Sequence, residues 1–247
     1  MSSNVNNRLW PGRVDYVLVI LLLCVSGNLA FTTGAGRQDI LLILSLAFIS
    51  GRMVLIRKEI RLDWNAVTTL FLIFSSFLII LIMQAISLDY VAAVTIAGFF
   101  VKLLVAACAV AAVRFFRLAL VRVMVWLTIL SLIFHVPNVV FGMAGIHLYE
   151  IFRPIAELVG AQPTGVNERV NILVHNFMGG EHFVRNAGIF WEPGAFSGYL
   201  IVALLLLATI RRFLPAKVFR RWRTILTVGV LSTLSTAGFL VLPFALF

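Results

Sequence analysis

Long apolar runs dominate the chain and recur with short polar breaks between them. They occupy residues 14–31, 40–56, 64–86, 90–113, 121–140, 193–210 and 225–247. Each is close to the roughly 20 residues that an α-helix needs to cross a bilayer. Transmembrane strands would instead alternate apolar and polar positions over about ten residues, and no such pattern recurs. The pattern predicts an all-α fold: a polytopic membrane bundle of about seven transmembrane helices, forming a single domain over residues 1–247. Arg8 and Arg13 precede the first run, as in a signal peptide. The run is long for the apolar part of such a peptide, and Asn28-Leu29-Ala30 fits a cleavage site poorly, so an uncleaved first helix is expected.

Composition supports this reading. The chain is 62% hydrophobic and 12% charged, with a mean hydropathy of +1.05; a soluble domain carries about 25% charged residues. The net charge of +10 would suggest nucleic acid in a soluble protein. In a membrane protein the distribution of Lys and Arg matters more, because they gather in cytoplasmic connections. Arg8 and Arg13 precede the first run. Arg52, Arg57, Lys58 and Arg61 surround the second connection, and Arg114, Arg117 and Arg122 the fourth. Arg211, Arg212, Lys217, Arg220, Arg221 and Arg223 separate the last two runs. The other side carries only Arg37, Arg153, Arg169 and Arg185. The predicted topology therefore places the N-terminus in the cytoplasm, and no nucleic-acid partner is expected. Cys24 and Cys108 lie inside apolar runs and read as packing residues. The scattered histidines lack metal-ligand spacing, so neither a metal nor another cofactor is expected.

The long connection, 141–192, falls on the outer side and holds three of the four histidines. Its first part is amphipathic. Leu148, Ile151, Phe152, Ile155, Leu158 and Val159 share one helical face, with Glu150, Arg153 and Glu157 on another. Such a helix would lie in the membrane interface and end at Gly160 and Pro163.

The connection closes on Arg185-Asn186-Ala187-Gly188-Ile189-Phe190-Trp191-Glu192-Pro193-Gly194. Pro193 suits a first helical position, which puts Glu192 at the positive end of the helix dipole. Trp191 suits an interfacial anchor, and Gly194 with Gly198 forms a GxxxG pair for close helix approach. Packing accounts for these residues more readily than for Arg185 and Glu192, since charges near membrane depth need partners. A mutual ion pair is one such partner.

This string, Arg-x-x-Gly-x-Phe-x-Glu-Pro-Gly leading from an outer loop into a helix, resembles the signature of bacterial O-antigen and exopolysaccharide polymerases and the related O-antigen ligases. Ser232-Thr233-Leu234-Ser235-Thr236-Ala237-Gly238 resembles a Thr-x-Ser-like patch on the next helix of that family. The resemblance covers about 185–247, with the upstream helices alike only in layout. It implies a glycosyltransferase of the cell envelope that polymerises undecaprenyl-diphosphate-linked oligosaccharide repeat units on the outer face of the bacterial cytoplasmic (inner) membrane. The implied partners are the lipid-linked glycan, the bilayer and a polysaccharide chain-length regulator. In the family a second large outer loop follows. The last run here reaches Phe247 without a polar tail, so the chain is expected to be the N-terminal part of a longer protein, with an incomplete site.

That chemistry assigns candidate roles. A guanidinium matches phosphate oxygens in a bidentate way, so Arg185, then Arg169 and Arg153, are candidates for the diphosphate. The acceptor hydroxyl must lose a proton as it attacks. Glu192 is the first candidate base or partner of Arg185, followed by His175 and His182. His135, near the outer end of its helix, is expected to pack rather than react. Lys102 lies mid-run, where an ionisable group is costly; it contacts diphosphate or glycan, serves as a transport-pathway charge, or is a buried lysine held by carbonyls. Asp39 and Asp89 read as boundary residues.

Two other functions stay open. An O-antigen ligase would use the same donor and transfer it to a lipid A core sugar, although Trp191-Glu192-Pro193-Gly194 favours the polymerase form. A transporter should show paired broken helices in two halves, and Pro137 and Pro193 flank one loop without such a repeat.

Overall fold

The computed structural model describes residues 11–25, 37–55, 64–88, 93–113, 115–146, 148–158, 169–172, 174–178 and 184–246, and most of these are helical. The first four helices are α1 (Arg13–Val25), α2 (Arg37–Leu55), α3 (Trp64–Leu88) and α4 (Ala93–Ala112). They coincide with the first four apolar runs, α1 as far as Val25. Helix α1 packs on α2 and α4, and α2 packs on α4. On α4 the buried residues Val105, Ala109 and Ala112 recur at helical spacing. Large apolar residues such as Phe71, Ile79, Met83 and Leu104 stand on the outer surface. A fold surrounded by water seldom exposes so many together.

The fifth helix, α5 (Phe116–Met143), is the one described helix long and apolar enough to cross a membrane by length and composition. It packs on α1 and on the C-terminal helices. Its buried face changes character along its length. Ala119, Leu120, Val121, Met124 and Val125 come first, followed by Thr128, Ser131, His135 and Asn138. The polar four are spaced by three, four and three residues, so they form one stripe. Thr128 satisfies its own hydroxyl by donating to the Met124 carbonyl at 2.7 Å.

The long connection after α5 begins with α6 (Leu148–Leu158) and continues into an antiparallel pair, β1 (Arg169–Asn171) and β2 (Asn176–Met178), with Val170 opposite Phe177. The amphipathic face of α6 is divided. Phe152 and Ala156 pack with Phe134, Val170 and Phe177, whereas Ile151 and Ile155 point away from the protein and are exposed. The predicted helix end at Gly160 and Pro163 lies outside the described residues.

The C-terminal part departs from expectation. Helix α7 (Pro193–Thr209) begins and ends as its apolar run predicts. A 3-10 turn at Arg211–Phe213 leads to α8 (Ala216–Ser232) and then α9 (Thr236–Leu246). The run 225–247 is therefore not one helix. It is a helical hairpin that turns at residues 233–235. Leu234 takes a left-handed φ of 48° there. The Thr233 hydroxyl donates to the Val230 carbonyl at 2.7 Å, and Ser235 caps α9 by accepting from the Gly238 amide at 3.4 Å. Hydroxyl side chains thus satisfy backbone groups that an unbroken helix would pair internally.

Close contacts fix the directions of these helices. A Cβ on Gly229 would lie 2.6 Å from Thr128 Cγ2 and 3.2 Å from Leu200 Cδ1, so α8 sits hard against α5 and α7. A Cβ on Gly238 would collide with the Ser197 hydroxyl, while Gly194 faces Ser235. Helix α9 therefore runs parallel to α7, and α8 antiparallel to both. The predicted pair Gly194 and Gly198 does not make the close approach: space is open beyond Gly198, and Gly194 meets only an ordinary contact. The glycines that permit contact are on the facing helices, at 229 and 238.

The two ends of the molecule differ in charge. At one end Arg122 donates to the Tyr16 hydroxyl at 2.9 Å, Arg52 lies 3.8 Å from the buried Asp15 carboxylate, and Arg117 and Arg212 line one cavity. The start of α1, the end of α2, the start of α5 and the α7–α8 connection therefore meet there. Arg8, Arg57, Lys58, Arg61, Asp89 and Arg114 lie outside the described residues.

Candidate functional site

At the opposite end, the segment from Arg185 to Glu192 docks on the α8–α9 turn. Asn186 is fully buried and holds it. Its backbone amide donates to the Ser232 carbonyl at 3.1 Å, and its side-chain amide donates to the Ser232 hydroxyl at 2.9 Å. Its side-chain carbonyl accepts from the Ser131 hydroxyl on α5 at 2.5 Å and from the Gly188 amide at 2.9 Å. One side chain therefore ties together the loop, the polar stripe of α5 and the end of α8. A network of this kind, satisfied and enclosed, fixes a single arrangement.

The turn beyond Asn186 needs a glycine. Gly188 has a φ of 57°, and a Cβ there would stand 2.9 Å from the Phe196 ring. The Gly188 carbonyl accepts from the Asn176 amide at 2.6 Å, and the Asn176 side chain donates to the carbonyls of Phe190 and Trp191 at 3.2 and 3.3 Å. Strand β2 thus braces the loop from the other side. Phe190 closes it by stacking on Phe196 and Tyr199 of α7 at 5.4 and 4.8 Å.

This scaffold positions two of the predicted site residues. Arg185 is half-buried, and its Nε donates to the Thr233 carbonyl at 3.4 Å. Glu192 is the N-cap of α7, with extended backbone angles of −133° and 145°, ahead of Pro193 at the first helical position. Its carbonyl accepts from the Phe196 amide at 3.1 Å, while its carboxylate makes no capping bond and is exposed. Among the described residues Arg185 and Glu192 form no ion pair with each other. The α8–α9 turn brings them to one neighbourhood: Thr233 holds Arg185, and Ser235 lies beside Gly194, two residues beyond Glu192.

The remaining candidates lie elsewhere. His175 is buried against Phe134 and Phe177, at ring distances of 5.9 and 4.7 Å. Burial, with a smaller contribution from the nearby His135, pushes its pKa down to about 3. A neutral imidazole enclosed in this way is out of reach of an external hydroxyl and belongs to the core beneath the hairpin. Among the described residues, the Nδ1 atoms of both histidines and Oδ1 of Asn176 are buried without a hydrogen-bond partner. His135 belongs to the polar stripe and is buried. Arg153 is exposed on α6, and Arg169 begins β1 opposite Met178. Lys102 is half-buried on α4, in the part of the bundle formed with α1 and α2. His182 lies outside the described residues.

An apolar groove of about 450 Å³ runs beside α1 and α5 to this loop. Tyr16 and Arg122 stand at its basic end, Leu23, Trp126 and Leu130 along it, and Val174 and Ile189 at the loop. Sequence reasoning missed Asn186, Ser131 and Asn176. The spacing of Thr128, Ser131, His135 and Asn138 was the available signal.

No protein-family model, curated protein or solved structure matches the chain.

Proposed function

We propose that the chain is a multi-pass protein of the bacterial inner membrane that polymerises undecaprenyl-diphosphate-linked oligosaccharide repeat units. In this reading α1 to α5, α7 and α8 are the seven crossings, and α9 returns from the outer side. The basic end faces the cytoplasm, together with the N-terminus, and the Arg185–Glu192 loop faces outward. The apolar outer surface and the separation of charge between the two ends support that orientation.

The observation that carries the functional reading is Arg185 beside the α8–α9 turn. One guanidinium nitrogen is tied to the Thr233 carbonyl, which leaves the terminal nitrogens to meet two phosphate oxygens. No carboxylate among the described residues neutralises it. The adjoining groove is apolar, as a polyprenyl tail requires, and it ends at Ile189 in the same loop. Arg185 stabilises the diphosphate as the glycosidic bond to it breaks. The exposed Glu192 carboxylate accepts the proton of the attacking sugar hydroxyl or orients that hydroxyl. Transfer to another lipid-linked unit lengthens the glycan; transfer to a lipid A core sugar would make the protein a ligase. A chain-length regulator is the protein partner this reading implies.

The test supplies lipid-linked repeat units to membranes containing the protein and resolves the products by length. A ladder that remains on the lipid diphosphate supports polymerisation. Product found only on lipid A core would assign the ligase reaction, and unchanged single units would reject both.

A further inference from the structure

The basic end of the bundle contains a second cavity, separate from the loop site. It measures about 940 Å³ and lies between the α4–α5 connection and the α7–α8 connection. Val110, Leu206 and Phe213 give it apolar walls, and Arg117 and Arg212 also line it. Both arginines are exposed, and neither has an ion-pair partner among the described residues. Arg211, next to Arg212, is instead turned over the Phe219 ring at 5.4 Å.

The backbone at the mouth is unusual. Phe115 connects α4 to α5 with a φ of 53°, a left-handed conformation seldom adopted by a bulky residue. It lines the cavity while remaining partly exposed, and Phe213 across from it is 77% exposed. Two aromatic rings and two uncompensated guanidinium groups therefore frame one opening. Water suits the arginines but not the rings. A soluble anion such as phosphate would engage the arginines and leave the apolar walls uncovered. An amphiphile with a phosphate head and a hydrocarbon tail satisfies both.

We infer that this cavity binds an anionic glycerophospholipid from the cytoplasmic leaflet, its phosphate held by Arg117 and Arg212 and an acyl chain lying along Val110, Leu206 and Phe213. The inference rests on the membrane orientation proposed above, but not on the chemistry at Arg185. Basic pockets between transmembrane helices on the cytoplasmic side bind anionic headgroups in this manner. The ligand would bridge the α4–α5 and α7–α8 connections and so join the N-terminal helices to those that carry the loop.

The test uses the full chain purified in detergent, with phosphatidylglycerol and phosphatidylcholine as probes and bound lipid counted by native mass spectrometry. Phosphatidylglycerol is expected to bind and to raise the melting temperature, with phosphatidylcholine weaker in both. Arg117→Gln with Arg212→Gln should weaken phosphatidylglycerol binding by about thirtyfold. Arg117→Lys with Arg212→Lys should retain most of it, which shows that loss in the glutamine pair comes from charge. Equal binding of the two lipids, or undiminished binding by the glutamine pair, overturns the inference. A melting shift produced equally by inorganic phosphate overturns the lipid assignment. Alkaline carbonate extraction separates the two levels of the argument. Protein that stays in the membrane pellet while its lipid binding ignores both arginines sinks this inference alone. Protein released to the supernatant sinks the membrane reading with it.

Discussion

The side-chain amide of Asn186 donates to the Ser232 hydroxyl at 2.9 Å, and this bond fastens the Arg185–Glu192 loop to the point where α8 stops. Ser232 passes the connection on by donating to the Gly229 carbonyl at 2.7 Å. Gly229 is the residue that lets α8 lie against Thr128 of α5. The loop that carries Arg185 and Glu192 is thus positioned by helix packing several residues away.

Asn186→Ala should loosen this loop without expelling the protein from the membrane. The substitution leaves the Gly188 amide and the Ser131 hydroxyl without the acceptor that Asn186 gives them. Each buried polar group left unsatisfied costs about 1–3 kcal/mol, and about 1 kcal/mol lowers the melting temperature of a chain this size by roughly 2–4 °C. A fall of about 5 °C or more in detergent, with faster proteolysis near residue 186, is expected. An unchanged melting curve would show that the network contributes little.

Gly188→Ala should act on the same loop by a different route. It forces a side chain into a φ of 57° and against the Phe196 ring, a change that destabilises by more than about 1 kcal/mol. Near-ultraviolet circular dichroism should report disturbed packing of Phe190, Phe196 and Tyr199. Gly198→Ala, which faces open space, should leave that spectrum unchanged.

His175 predicts how stability varies with pH. Its pKa is lowered from the usual 6.5 to about 3 by burial and, to a lesser extent, by His135. Between those values the unfolded chain binds a proton that the folded chain does not, so stability is full above about pH 6.5 and falls as the pH drops toward 3. The melting temperature should therefore be lower at pH 5 than at pH 7.5. His175→Phe should reduce that difference; an identical difference in the variant would remove His175 as its source.

The orientation makes a prediction of its own. With Cys24 and Cys108 replaced by Ala, a cysteine at position 192 should react with an impermeant maleimide in intact spheroplasts. A cysteine at position 217 should react only after permeabilisation. Labelling of both from the same side would contradict the seven-crossing arrangement.

Much of this architecture was legible in the sequence because it depends on local pattern. Apolar length located α2, α3, α4 and α7 to within a few residues, and Pro193 marked the first turn of α7. The hairpin of α8 and α9 was not legible, because its break contains neither proline nor glycine. Ser232, Thr233 and Ser235 end one helix and begin the next through hydroxyl bonds that also depend on the docked loop. His175 read as a loop residue because the rings that enclose it, Phe134 and Phe177, come from two separate elements. Asn186 was overshadowed by the arginine beside it, since a buried amide is recognised by its partners rather than by its own charge.

The central claim is that Arg185 serves the lipid diphosphate, and the length distribution of the glycan in cells tests it most directly. Arg185→Ala should abolish polymer beyond a single repeat unit while the protein remains in the membrane at normal abundance. Arg185→Lys should restore only a short ladder, because an ammonium keeps the charge but loses the bidentate fit. A normal ladder from Arg185→Ala would contradict the account.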